Sequence, residues 1–360
     1  MLIFVYLFTN SLFLAKYLSR LTDLYPHLII PYLIILLTLF SFSEKINKRF
    51  STRFLYLSIS FATSLLLFLL MHQFNPRDFR IGRYPALLEW LTRFLRGIFP
   101  YGGPTRPSGF PFLFLLALPF YLLGDLGVLQ IFGFLLFAFI LSSKEGRFFS
   151  LLLLILSPSF LFEVITRSEL FTNMTLVLGY LLLFQKKELA IKKRYSFLYG
   201  LLGGLLLATR GIVLFSYLLF FPSHFKGEEK KGIIFLSGLA LAFLAVNLPF
   251  FLWDADSFIR NGPFSIQTGY LPSLLLPIFF LSALILGLNW KKEKEPYGII
   301  ALFLFLIVFL AFLLVIIESG FYPALWGSQF DISYFIFPLP FLLYAISDKK
   351  IFNHPFPLPA

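Results

Sequence analysis

Apolar runs of membrane length recur along the whole chain, and they leave little choice of fold. In hydrocarbon every backbone N–H and C=O needs a partner inside the protein, so an apolar run of about 20 residues becomes a helix. The runs lie at 2–19, 28–43, 54–71, 126–142, 148–162, 170–184, 196–220, 233–252, 273–289, 299–317 and 332–347. Only 13% of the 360 residues are charged, against roughly 25% in a soluble domain. The expectation is all-α: one integral membrane domain over 1–360. The apolar start, Met1 to Leu18, lacks a basic leader and a small-residue cleavage site. It reads as a retained helix rather than a signal peptide.

The charges set the topology. Lysine gathers in 44–53, 143–147, 185–195, 222–232, 290–298 and the tail from Ser347, with Lys16 alone inside the first run. The positive-inside rule puts such turns on the cytoplasmic face. All of them share one face if two segments are read in a particular way. The segment 111–123 spans only ~20 Å as a helix and is interrupted by Pro119, so it lies on or dips into the outer face. The run 196–220 carries Arg210 near its middle, where a lone arginine costs at least about 2.5 kcal/mol. Two shorter helices bring Thr209 and Arg210 to a surface instead. The result is about twelve transmembrane helices, a multi-pass cell-membrane protein with both termini cytoplasmic, and one long outer-face loop, 72–125, carrying juxtamembrane helices.

That loop holds six arginines, no lysine, and the carboxylates Asp78, Glu89 and Asp125. Of the 14 arginines, ten fall on the outer face or its rim: Arg20, Arg77, Arg80, Arg83, Arg93, Arg96, Arg106, Arg167, Arg210 and Arg260. Topology explains lysine inside; it does not explain arginine outside. Arginine makes bidentate bonds to phosphate and tolerates burial better than lysine, so the outer face suits an anionic lipid or a phosphate-bearing substrate. Snorkelling to headgroups is the plainer alternative for any one of them. The outer face also holds Glu163, Glu169, Asp254, Asp256, Glu318 and Asp331, and a carboxylate beside a cavity is a reasonable general base.

Several chemistries fall away. With no cysteine there is no disulfide and no thiol nucleophile. The four histidines are scattered without metal-ligand spacing, and there is no glycine-rich phosphate loop. The net charge of +12 reflects helix flanks, so no nucleic-acid partner is expected. Asp254-Ala-Asp256 has the form that holds a divalent metal in soluble nucleotide-sugar transferases. Nucleotide sugars are cytoplasmic and this loop is placed outside, so no metal or other cofactor is assigned.

Five stretches together resemble the GT-C superfamily of polytopic glycosyltransferases, its polyprenol-phosphate-mannosyltransferase-like members in particular. Asp78-Phe79, then Arg83-Tyr84-Pro85, then Gly97-Ile98-Phe99-Pro100-Tyr101 is similar to the first outer loop of bacterial members. Ser108-Gly109-Phe110-Pro111 and the run to Leu123-Gly124-Asp125 resemble a proline-led juxtamembrane helix closed by a glycine turn. Arg167-Ser168-Glu169 with Asn173, the stretch Gly203 to Arg210, and Pro249 to Phe264 look like later outer-rim elements. In many members the acidic loop follows the first helix, whereas here it follows the third, and its paired acidic motif is reduced to Asp78. The resemblance implies inverting transfer of a sugar from a polyprenyl-phosphate donor to a lipid or glycan acceptor at the outer face. It makes Asp78 the base and Arg83 and Arg210 the phosphate ligands, with Arg167 or Arg260 assisting and Tyr84, Glu169 and Asp256 in the binding set. A transporter or flippase of a lipid-linked glycan is the competing reading; it predicts matching broken helices in two halves, and no such symmetry is visible.

Overall fold

Proline, capping side chains and left-handed turns decide where the helices stop. In the computed structural model the described residues are 1–20, 22–49, 52–78, 83–187, 193–291 and 295–347, and their regular structure is helical throughout. Phe79, Arg80, the tail beyond Ser347 and parts of three lysine-rich turns lie outside the described residues. In chain order the helices are α1 (Leu2–Phe13), continued by a π-turn Leu14–Leu18, then α2 (Tyr25–Ser41), α3 (Ser43–Arg49), α4 (Arg53–His72), α5 (Arg83–Leu95) and α6 (Pro111–Leu122). Next come α7 (Val128–Leu141), α8 (Arg147–Ile155), α9 (Pro158–Thr166), α10 (Leu170–Lys187), α11 (Lys193–Leu207), α12 (Val213–Phe225) and α13 (Glu229–Trp253). The chain closes with α14 (Ala255–Arg260), α15 (Pro263–Thr268), α16 (Leu275–Asn289), α17 (Tyr297–Ser319), α18 (Phe321–Leu325), a 3-10 turn Ile332–Ile336 and α19 (Leu339–Ile346).

Among the described residues α4, α13 and α17 are each long and apolar enough to cross a membrane. The number is five if the bent pairs α2–α3 (64°) and α8–α9 (60°) each count as one span. The remaining apolar helices have 10–17 residues, short of a ~30 Å core at about 1.5 Å per residue. The α8–α9 bend has a local cause. Pro158 has no N–H to give to the preceding turn, so it takes the first helical position, and Ser157 caps it by accepting from the Phe160 N–H at 3.4 Å. Asn10 of α1 holds the break by accepting from Ser157 Oγ at 2.7 Å and from the Ser159 N–H at 3.2 Å.

The run 196–220 is two helices, as its arginine demands: α11 ends at Leu207 and α12 begins at Val213, leaving Thr209 and Arg210 in the turn. The segment 111–123 is the separate short helix α6. With α5 it builds a satellite core of Leu87, Trp90, Leu91, Tyr101, Phe110, Leu113 and Phe114, closed by Phe250 and Phe258. Trp90 stacks on Phe114 at 4.5 Å. The long loop is therefore a folded element. Backbone bonds from the Phe110 N–H to the Thr209 carbonyl (2.9 Å) and from the Phe112 N–H to that of Ala208 (3.1 Å) dock it onto the α11–α12 turn.

The lysine-bearing ends of the helices meet one another. Lys144 pairs with Glu295 at 2.8 Å, Asn47 accepts from the Phe149 N–H, Tyr297 donates to Gln185, and the Gly146 N–H reaches the Ser347 carbonyl. The arginine-bearing ends meet at the opposite termini of the same helices: α7 runs from Asp125 to Lys144 and α8–α9 from Arg147 to Arg167. Arg53 and Arg147 also sit at the lysine-bearing end, and Lys16 lies at the other, donating to the Gly327 carbonyl.

Candidate functional site

Three helix ends bring the arginines together. The first is the end of α9. There the Ser168 N–H bonds the Glu163 carbonyl (3.0 Å) and the Arg167 N–H bonds that of Val164 (3.2 Å). This is a Schellman end, which asks for a left-handed residue. Gly97 (φ 68°) and Gly124 (φ 91°) fill that position after α5 and α6, but after α9 it is Arg167 (φ 53°). An L-residue there carries a penalty of about 1–2 kcal/mol, and such strain concentrates at functional sites. The turn points Arg167 at Asp125 (Nη1 to Oδ1, 3.5 Å) and over the Tyr84 ring (5.6 Å). His72 Nε2 reaches the other oxygen of Asp125 at 2.9 Å.

The second is the α11–α12 turn. Arg210 is 2% exposed and pairs through Nη2 with Glu169 Oε1, itself on the strained turn. Its Nη1 donates to Ser108 Oγ at 3.0 Å, and its guanidinium lies 5.9 Å from the Phe337 ring. Gln267 fastens the turn to the loop before α6: it accepts from the Gly211 N–H at 2.7 Å and donates to the Ser108 carbonyl. The third is the start of α5. Arg83 Nη2 donates to Asp331 Oδ2 at 2.8 Å and its guanidinium sits 4.8 Å over Tyr334. Asp331 also caps the 3-10 turn by accepting from the Ser333 N–H at 3.0 Å. Burial acts to raise the pKa of Asp331, but Arg83 and the Ser333 donors outweigh it and hold the carboxyl below its usual range. On Arg83 burial acts the other way, and the Asp331 and Tyr334 charges outweigh it and raise the guanidinium further.

Each arginine is thus already paired with a carboxylate, yet each keeps donors to spare. Arg83 Nε and Nη1, Arg167 Nε and Arg210 Nε are buried with no hydrogen-bond partner, as are Glu163 Oε1 and both amide atoms of Asn173. A buried polar group left unpaired costs about 1–3 kcal/mol. Each such group asks for a physical explanation.

Two cavities border this region. A cavity of about 530 Å³ runs between α12, α16 and α17 with walls such as Leu214, Phe215, Phe280, Ile307 and Ala311, and it ends at Arg210, Gln267, Tyr270 and Tyr334. A polar cavity of about 400 Å³ shares Tyr270 and Leu271 with it and adds Glu318, Ser319 and Gln329. Arg210 also borders a water-sized gap of about 20 Å³ that it shares with Arg83, Ser108 and Glu169.

The structure therefore gathers Arg83, Tyr84, Arg167, Glu169 and Arg210. It does not bring the other expected residues to them. Asp78 is exposed on a turn and lines none of these cavities. Asp256 and Arg260 pair with each other one helical turn apart at 2.8 Å, both more than 70% exposed. Asp254 is the N-cap of α14, accepting from the Ser257 N–H at 3.0 Å. Asp331, Ser108 and Gln267 join the site; Ser108 stood in a quoted motif without a role of its own, and no sequence pattern singled out Gln267. Their partners lie 248, 102 and 56 residues away in the chain. Set beside known proteins, the chain matches no family model, no curated sequence and no solved structure.

Proposed function

We propose that the chain is a multi-pass membrane glycosyltransferase that takes a sugar from a polyprenyl-phosphate donor at the outer face, with about twelve spans and both termini cytoplasmic. The observation that carries the reading is the 530 Å³ apolar cavity ending at Arg210. A binding cavity of this kind, apolar with a few convergent polar groups, is the usual form of a small-molecule site. An isoprenoid chain matches the walls, and a phosphate matches the end. Arg210 lines that cavity together with Gln267, Tyr270 and Tyr334. In transfer the phosphate leaves with developing negative charge, and a fixed guanidinium in a low-dielectric site stabilises that charge best. Lysine segregation supports the sidedness: the arginine end is opposite the lysine end, and lysine favours the cytoplasm.

Purified protein in detergent tests this with farnesyl phosphate as a short probe. Binding is expected for farnesyl phosphate and not for farnesol, and Ala311→Phe, which fills the apolar cavity and touches no charge, is expected to abolish it. Equal affinity for farnesol removes the phosphate role of Arg210. Unchanged binding by Ala311→Phe removes the cavity from the reading.

A further inference from the structure

We infer that the 400 Å³ polar cavity is the acceptor subsite, that it takes a sugar hydroxyl, and that Glu318 is the base that deprotonates it; this rests on the transferase reading. The cavity shares lining residues with the apolar one. Tyr270 and Leu271 form the partition, and Tyr270 packs on Phe330 at 5.1 Å and on Tyr334 at 6.0 Å, which fixes the partition against the Asp331–Arg83 pair. A lipid phosphate held at Arg210 puts its sugar at this partition. On the far side stand Glu318, Ser319 and Gln329, the carboxylate, hydroxyl and amide that hydrogen-bond sugar hydroxyls.

Glu318 differs from the other acids of the site. Asp331, Glu169 and Asp125 each face an arginine, and Glu163 is sealed at 0% exposure with one oxygen accepting from the Phe171 N–H. Glu318 sits in the last turn of α17 with no ion pair among the described residues, exposed, and lining a cavity. A general base needs that combination of free lone pairs and access to a hydroxyl. The step balances within the pair of substrates. The acceptor oxygen forms a bond to the anomeric carbon as its proton passes to Glu318. The bond from that carbon to the phosphate oxygen breaks, and the electron pair leaves with the lipid phosphate.

Dodecyl maltoside serves as acceptor probe, since its headgroup carries sugar hydroxyls and its chain is already in the micelle. The donor is a labelled polyprenyl-phosphate hexose, and the product is read by mass spectrometry beside farnesyl phosphate binding. Glu318→Gln is expected to cut transfer by about 10²–10⁴-fold, the usual worth of a general base, while lipid-phosphate binding stays within twofold of the parent. Glu318→Asp is expected to recover part of the rate. Transfer by Glu318→Gln at the parent rate overturns the assignment, and so does loss of transfer in Asp78→Asn alone. Lipid-phosphate binding without any transfer to the glycoside overturns the acceptor subsite. Absence of lipid-phosphate binding overturns the transferase reading itself.

Discussion

Removing one side of the Arg210–Glu169 pair is expected to hurt the fold more than removing both. Both side chains are all but sealed, at 2% and 4% exposure. In Arg210→Gln the Glu169 carboxylate loses its cation and stays buried, and a buried ion stripped of its partner costs about 3–5 kcal/mol. In Glu169→Gln the guanidinium keeps Ser108 Oγ and the Phe337 ring, which are weaker partners than a carboxylate, so the loss is of the same order. The double variant Glu169→Gln/Arg210→Gln leaves no buried ion, and two amides of similar size can bond each other. Its loss is expected to match or undercut either single loss. The sum of the singles is about 6–10 kcal/mol, so the coupling is several kcal/mol, well beyond the roughly 0.5 kcal/mol scatter of independent sites. Unfolding in detergent followed by tryptophan fluorescence measures all four corners of the cycle. Additivity within that scatter would falsify the pairing as the reason these two residues are buried.

Two further outcomes follow from packing and from pH. A Cβ on Gly204 would stand 2.2 Å from the Leu239 carbonyl oxygen, and one on Gly200 would stand 2.1 Å from that of Phe235, so α11 and α13 touch backbone to backbone. Gly204→Val is expected to force them apart and to destabilise by about 1–3 kcal/mol or more, whereas Gly97→Asn, at a left-handed turn with open space, is expected to stay within about 1 kcal/mol; thermal unfolding of the two side by side decides. Asp331 has a lowered folded pKa. Its pair with Arg83 therefore stabilises the fold above the unfolded value of about 3.9 and is lost as pH falls through the lower folded value. Asp331→Asn is expected to flatten the acid limb of stability below about pH 4, and an unchanged acid limb refutes the linkage.

What the sequence disclosed was one-dimensional. Lysine runs between apolar stretches flank their own helices, and the contacts of Lys144, Asn47 and Gln185 bring four of those turns to one end. The split at Arg210 was legible for the same reason: a cation in the middle of an apolar run has to be moved to an edge. Gly124 announced its turn because glycine is the residue that a left-handed turn favours. Arg167 announced nothing, since an arginine at φ 53° goes against propensity and is held there by tertiary contacts. The pairing of Arg83 with Asp331 was out of reach as well. No local pattern joins residues 248 positions apart, and composition alone does not say whether an outer arginine meets a carboxylate, a headgroup or a substrate.

The pairing also changes what a cluster of arginines means. Unpaired, these cations would recruit any anion from solution and would act over a Debye length of about 10 Å. Paired one by one with Asp125, Glu169 and Asp331, they have little net field and cannot steer by charge. What remains is directional: a few N–H donors held in place, with partners that keep each guanidinium fixed. Such donors reward an acceptor atom only where it sits within hydrogen-bonding distance, so they select for geometry rather than for charge. That is the preorganisation a developing phosphate charge exploits. It also explains why the ion pairs and the strained turn at Arg167 belong to one device. The carboxylates hold the arginines, the turn supplies Arg167 and Glu169 two positions apart, and Arg210 lines the apolar cavity.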